Sequence, residues 1–231
     1  MTVPEALRSI RERIEGARRR AGRQNSPPVE VVAVTKAFPA QAITDAYRAG
    51  LRAVGETRVQ EARRKVERLP QLPGLTVRMI GHLQSNKARK AVELFDTIDS
   101  VDSVKLGRLI SRIAREQGKV MPILLQVNTA EDPAKFGFDP GQVDELMELV
   151  YLAGIRVEGL MTIGALTARP EETRETFRRL RRLRDRMNKA LPPSKKLHHL
   201  SMGMTGDFEI GVEEGATMVR IGTALFGPRP A

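Results

Sequence analysis

The chain has 231 residues, 41% hydrophobic and 29% charged, with a net charge of +11 and no cysteine. That balance excludes a disordered chain, a disulfide framework and thiolate or zinc–cysteine chemistry. No apolar run approaches the roughly 18 residues of a membrane span. The opening Met1-Thr2-Val3-Pro4-Glu5 also lacks the basic start and apolar core of a signal peptide, so a cytoplasmic location is expected. The surplus of arginine admits three readings: nucleic acid, an anionic small molecule, or a solvated surface.

Thr2-Val3-Pro4-Glu5 has the form of a capping box. Val3, Leu7, Ile10, Ile14, Ala17 and Ala21 follow at helical spacing, until Gly22 and Asn25-Ser26-Pro27-Pro28 end the helix. Next comes Val29-Glu30-Val31-Val32-Ala33-Val34-Thr35-Lys36, a β-branched apolar run that suits a strand buried on both faces of a parallel sheet. Side chains alternate along a strand, so Lys36 points the same way as Val34 and Val32. With those valines facing an enclosed core, Lys36 stands at its mouth, poorly solvated. Its amine then loses its proton readily and can attack a carbonyl. On an ordinary strand end the same lysine would merely snorkel to solvent.

Ala37-Phe38-Pro39 breaks this strand. A helix is predicted around 40–49, a short strand over 51–54 and a helix around 58–69. The third strand, 76–80, leads into Gly81-His82-Leu83-Gln84-Ser85-Asn86-Lys87 and a helix to about Glu93. The fourth strand covers 95–99, a helix runs from Ser103 to Gln117, and the fifth strand covers 121–127. After a polar loop over 128–138, Asp139 caps a helix with Pro140 at its first position. The sixth strand is 155–161. Pro170 then opens an Arg-rich helix, closed by Pro192-Pro193, with Phe177, Leu180, Leu183 and Met187 on one face and arginines coating the other. The seventh strand covers 197–200, a short helix 207–214 and the eighth strand 217–221. Strand and helix alternate eight times behind one extra N-terminal helix, which predicts a closed (β/α)8 TIM barrel forming one domain over 1–231. An open doubly wound sheet is the alternative, but the glycine fingerprint it would carry after the first strand is absent.

In such a barrel, functional groups gather at the C-terminal ends of the strands. Lys36 lies at that end of strand one. Ser201-Met202-Gly203-Met204-Thr205-Gly206 follows strand seven, and Arg220-Ile221-Gly222-Thr223 closes strand eight. Glycines and hydroxyls at those two strands are where this fold holds phosphate. Strand parity turns Arg220 inward with Met218 and Gly222. Lysine, phosphate site and inward arginine together meet the needs of a phosphorylated aldehyde cofactor, and pyridoxal 5'-phosphate (PLP) fits. Lys36 would form the Schiff base, and the loops after strands seven and eight, Ser201, Met202, Gly203, Gly222 and Thr223 among them, would hold the phosphate. Arg220 would meet the pyridine nitrogen and help keep the Lys36 amine neutral.

Five stretches carry a resemblance: Val34-Thr35-Lys36, Val54-Gly55-Glu56, Ile80-Gly81-His82-Leu83-Gln84-Ser85-Asn86-Lys87, Leu200-Ser201-Met202-Gly203-Met204, and the run from Val219 to Gly227. With them the chain resembles the pyridoxal phosphate homeostasis protein family almost end to end. The resemblance implies a barrel similar to the N-terminal domain of bacterial alanine racemase. It implies Lys36 as the lysine joined to the cofactor, Ser201, Gly222 and Thr223 as phosphate ligands, and Arg220 as the pyridine partner. The family usually has asparagine after Gly-Glu, where this chain has Thr57.

The expected role is a monomeric cytosolic carrier and buffer of PLP that passes it to apo PLP-dependent enzymes and has no reaction of its own. An amino-acid racemase is the first rival. It needs a second acid/base on the face opposite the lysine, which in alanine racemases is a tyrosine from a C-terminal β domain. The sequence ends at Ala231, so that domain is not expected, and Tyr47 and Tyr151 fall on outer helices. A basic RNA-binding module is the second rival, favoured by the charge alone; aromatic residues are only 4%, which leaves little for bases to stack on. His82 is a candidate to approach the ring, Lys135 is expected to be a solvated loop lysine, and Asp207 and Glu209 are expected to serve the helix that they open. His198 and His199 face opposite ways on a strand, so no metal pair is expected.

Overall fold

The strands are short, four to seven residues each, and most of their side chains are buried on both faces, so none can stand alone. The computed structural model describes residues 1–164 and 169–228. Eight strands pair in parallel, each with the next in the chain, and the last closes on the first. They are β1 (Glu30–Val34), β2 (Ala53–Glu56), β3 (Thr76–Met79), β4 (Thr97–Val101), β5 (Met121–Gln126), β6 (Ile155–Met161), β7 (His199–Met204) and β8 (Met218–Ile221). The helices are α1 (Val3–Arg20), α2 (Ala40–Arg48), α3 (Val59–Val66), α4 (Ala88–Leu94), α5 (Val104–Glu116), α6 (Val143–Val150), α7 (Pro170–Ala190), α8 (Phe208–Glu213) and α9 (Thr223–Phe226). The predicted barrel and its leading helix are therefore present. Among the described residues no helix is long and apolar enough to cross a membrane.

Parity divides the barrel into two cores. Outward residues of the strands and inward faces of the helices form one large apolar cluster. Inside the barrel a small one remains: Val32, Ala53, Leu124, Met161 and Met218. Arg78 shares the inner face, because it pairs in register with Gly55, whose missing Cβ would lie 3.3 Å from Val32 Cγ1. There it makes a two-pronged contact with Asp99, from Nε to Oδ2 at 2.7 Å and from Nη2 to Oδ1 at 3.1 Å. The barrel interior is thus part apolar plug and part buried ion pair.

The capping box at α1 forms as the sequence predicts: the Thr2 N–H donates to Glu5 Oε2 at 2.7 Å, and Thr2 Oγ1 accepts from the Glu5 N–H. In α7, Phe177, Leu180, Leu183 and Met187 are all buried, each stabilising by roughly 1.5–3 kcal/mol relative to exposure. Its arginines do more than coat a surface. Arg174 donates to Glu213 at 2.7 Å and, with Arg178 and Arg181, converges on the nearly buried Glu214. From the other side Arg13 reaches Glu209 at 2.8 Å and Arg20 reaches Glu213 at 2.8 Å, which ties α1 and α7 to α8.

Several boundaries differ from expectation. β2 and β7 lie two to four residues further on than predicted, at Ala53–Glu56 and His199–Met204. Their predicted stretches begin with apolar residues that pack outside the ladder: Leu51 and Leu197 are buried in the outer core. Asp139 does not cap a helix; its carboxylate accepts from Gly141 N–H at 2.7 Å in a turn, and α6 starts at Val143. The turn α9 after β8 was not foreseen, because its four residues are too few to show a periodicity.

Candidate functional site

A cavity of about 270 Å³ opens at the C-terminal mouth of the barrel. Val34 and Lys36 enter it from β1, Thr57 from the end of β2, Ile80 from β3, and Arg220, Gly222 and Thr223 from β8 and its exit. The loop after β7 contributes Met204, Thr205 and Gly206, and Ile163 closes the β6 side. Four of the residues singled out from sequence, Lys36, Arg220, Gly222 and Thr223, therefore share one cavity. The other three do not line it. Ser201 is buried beneath it, Met202 belongs to the outer core, and Gly203 packs on Phe208. Gly203 has φ +96, and a Cβ there would lie 2.8 Å from Phe208 Cα, so this turn requires glycine.

Arg220 is fully enclosed and well satisfied. Its Nη1 donates to the Ser201 carbonyl at 2.8 Å and to Ser201 Oγ at 2.7 Å; its Nη2 donates to the Thr162 carbonyl at 2.7 Å. Burial pushes its pKa down to about 10, against the pull of Asp99 and Asp207. It is still a cation at neutral pH, fixed in a wall where a partner atom of a flat ring could meet it. Ser201 thus serves the arginine directly.

Donors for an anion also line the cavity. Among the described residues the backbone N–H groups of Thr205 and Gly206 have no acceptor, and a Cβ on Gly206 would meet nothing within 4 Å. Thr223, which is exposed, lines the same cavity. Asp207 stands at the N-cap position of α8, but its side chain makes no capping hydrogen bond. Its Oδ1 accepts from the Met204 N–H at 2.5 Å and so folds the Met204–Gly206 turn. Burial raises its pKa above the ordinary aspartate range. Glu209 pairs with Arg13 and Arg20.

Behind Lys36 lies a buried cluster to which sequence reading gave no role. Thr35 and Glu56 alternate with Lys36 and Thr57 and so face the helix layer. Lys65 of α3 donates to the Thr35 carbonyl and to Glu56 Oε1, both at 2.7 Å, and meets Glu61 at 2.7 Å. Thr35 Oγ1 also donates to Glu56 Oε1, at 2.6 Å. Glu61 in turn accepts from the Ala37 N–H at 2.7 Å. Ala37 has φ 62, a left-handed conformation that costs an L-residue roughly 1–2 kcal/mol. The residues on both sides of Lys36 are thus anchored to one ion cluster. Burial raises the Glu56 pKa although Lys65 and Thr35 pull it back. The Glu61–Lys65 spacing of four on a helix hints at that pair, but nothing in the sequence turns it towards Glu56.

Across the mouth, His82 Nδ1 lies 2.7 Å from Asp102 Oδ2, and its ring stacks on Phe136 with centroids 3.7 Å apart. His82 lines a neighbouring cavity that shares Thr57 and does not line the one holding Lys36. Lys135 is not a solvated lysine: its side chain is 13% exposed and its Nζ donates to the Gly164 carbonyl at 2.7 Å. It ties the loop after β5 to the end of β6. Gly81 allows the β2 and β3 exits to meet, since a Cβ there would lie 2.5 Å from the Thr57 carbonyl oxygen. Among the described residues no cluster could hold a metal ion.

A closed parallel barrel with a lysine at the end of its first strand and an arginine on its last defines a class, and residues 6–230 match the model of the alanine racemase N-terminal domain. An alanine racemase of Clostridium difficile shares the fold, with a TM-score of 0.75 over 98% of this chain and 58% of that one, at 18% identity. The chain belongs to the pyridoxal phosphate homeostasis protein family: it is 40% identical to the member from Aquifex aeolicus over 99% of both chains. The structure of PipY from Synechococcus elongatus with PLP bound is similar at 42% identity, with a TM-score of 0.86 over 98% of this chain and all of that one.

Proposed function

We propose that this protein binds PLP at the C-terminal mouth of its barrel and serves as its carrier and buffer. The observation that carries this reading is the single cavity shared by Lys36, Arg220, Gly222 and Thr223. The residues present suit the cofactor: an inward lysine amine, a fixed guanidinium, and a turn with N–H groups that lack acceptors. When bound, the cofactor supplies an aldehyde that condenses with an amine and an aromatic ring that withdraws electrons. Lys36 would supply that amine and so hold the cofactor covalently. Thr205, Gly206, Gly222 and Thr223 surround the phosphate, and Ser201, Met202 and Gly203 shape the strand that presents them. Arg220 would meet the pyridine nitrogen. A permanent cation there disfavours protonation of that nitrogen, which makes the ring a weak acceptor of electrons and suits holding better than turnover. In this reading the protein is a cytoplasmic monomer, has no catalytic activity of its own, and delivers its cargo to apo PLP-dependent enzymes. Borohydride treatment of the loaded protein should fix one cofactor to Lys36, as read by peptide mass spectrometry, and Lys36→Ala should remain colourless. An adduct on another lysine, with Lys36→Ala still yellow, would overturn the assignment.

A further inference from the structure

The opposite, N-terminal face of the barrel carries a second cavity, of about 530 Å³ against about 270 Å³ for the one at Lys36. It lies where β1, β7 and β8 begin, under the end of α1. Its floor is apolar and includes Val29, Val212 and Met218. Arg18, Arg23, Arg184, His198 and His199 also line it, and burial lowers the pKa of His199.

The charges that line this cavity are not equally occupied. Arg18 donates to Glu15 at 2.7 Å and to the carbonyls of Gln24 and Ser26. Arg184 donates to Asp185 at 2.7 Å. Glu30, the acid that lines the cavity, has Arg78 at 3.9 Å. Arg23 differs from these. Among the described residues its side chain has no hydrogen bond or ion pair. It is half-buried and wedged against Gly215, where a Cβ would lie 2.7 Å from its Nη2. Burial, then repulsion from Arg181 and Arg184, depresses its pKa, against a weaker pull from Glu214 and Asp185. A desolvated guanidinium among like charges is stabilised by any oxyanion that can reach it.

We propose that this cavity is a second binding site, for a small organic anion that carries a phosphate or carboxylate on a flat apolar body. Arg23 meets the anionic head, and the apolar floor beside the two histidines takes the body. The site is independent of Lys36 and its cofactor.

The histidines make it testable. The chain has three, with His82 at the C-terminal mouth and His198 and His199 at this one. Protein labelled in its histidine rings is titrated with phenyl phosphate and followed by NMR, both as purified and after loading with PLP and borohydride reduction. The ring signals of His198 and His199 should shift together and saturably in both forms, while His82 stays still. Arg23→Ala should weaken binding by about tenfold or more, and Arg23→Lys should retain part of it. Inorganic phosphate and phenol, each lacking half of the ligand, should bind more weakly than phenyl phosphate. Benzoate in its place then decides between a carboxylate and a phosphate head. Failure to form the borohydride adduct would count against the reading of Lys36 and leave this titration intact. A shift at His82 alone, an unchanged affinity in Arg23→Ala, or no saturation by about 10 mM would overturn the second site.

Discussion

At the scale of single residues, the chemistry of the mouth depends on groups that do not touch the cavity. Lys65 and Glu56 form an ion pair whose side chains are 8% and 0% exposed. Removing one partner strands the other, so Lys65→Met should destabilise by about 3–5 kcal/mol, whereas Lys65→Met with Glu56→Leu should recover most of that; urea unfolding of both variants checks this. Glu56 also predicts a pH dependence. Burial raises its folded pKa above the ordinary value of 4.5, so the folded protein keeps that proton to a higher pH than the unfolded chain does. Glu56 therefore weakens the fold progressively as pH rises from the unfolded value through the raised folded one. Glu56→Gln cannot ionise, and its urea midpoint should gain on the wild type across that window; a difference that is flat or falls with pH would show that burial is not the dominant effect. For the cofactor itself, Thr223→Val with Thr205→Ala should weaken PLP binding and leave unphosphorylated pyridoxal unaffected. Each lost charge-assisted hydrogen bond is worth roughly 1.5–3 kcal/mol. Absorbance titrations with the two forms compare them, and equal losses would remove the phosphate assignment. Lys36, Arg220, Gly222 and Thr223 were legible because strand parity and barrel convention place them. The Glu56–Lys65 cluster was not, because a sequence does not say which charges of α3 turn inward.

At the scale of elements, the alternation of strand and helix was readable throughout, and the errors are shifted bounds at β2, β4 and β7, the helix start expected at Asp139, and the short α9. Leu51 and Leu197 read as strand because apolar character is shared by ladder positions and outer-core positions alike. The charge pattern of α7 was legible only as a stripe. Which arginines were exposed and which were drawn to Glu213 and Glu214 depended on α8, whose first residue, Phe208, lies 24 positions after Arg184. Glu214 is 7% exposed and faces Arg174, Arg178 and Arg181. Glu214→Gln should therefore destabilise by about 1 kcal/mol, chiefly through Arg181, since Arg174 keeps Glu213 and Arg178 keeps Glu175, with the denaturant slope unchanged. Recovery of that loss in high salt would reduce the cluster to a surface effect.

At the scale of the whole molecule, the holder and the racemase make opposite predictions. Moving a proton from one face of a bound amino acid to the other needs two acid/base groups. Lys36 can serve one face. The two tyrosines do not line its cavity: Tyr47 donates to the Pro73 carbonyl at 2.9 Å, and Tyr151 is 58% exposed. General acid–base catalysis contributes about 10²–10⁴-fold, so the loaded protein should form no D-isomer from L-alanine, or from a wider set of L-amino acids, above the rate of free cofactor. It should instead lose its cofactor to an apo-enzyme in excess. Saturable racemisation that Lys36→Ala abolishes would restore the enzyme. The barrel was legible at this scale because eight alternations leave few ways to pair parallel strands. The second cavity was not, because it is assembled from α1, β7 and β8.

The closure of the sheet bears on this role through quantity. An enzyme works by repetition and can be scarce, whereas a carrier works by stoichiometry and must be about as abundant as its cargo. Abundance is hazardous for a β protein that leaves a strand edge open, since unpaired amides and carbonyls recruit neighbouring chains. Here the eighth strand hydrogen-bonds to the first, so the ring offers no edge on which a fibre could start, even in a crowded solution.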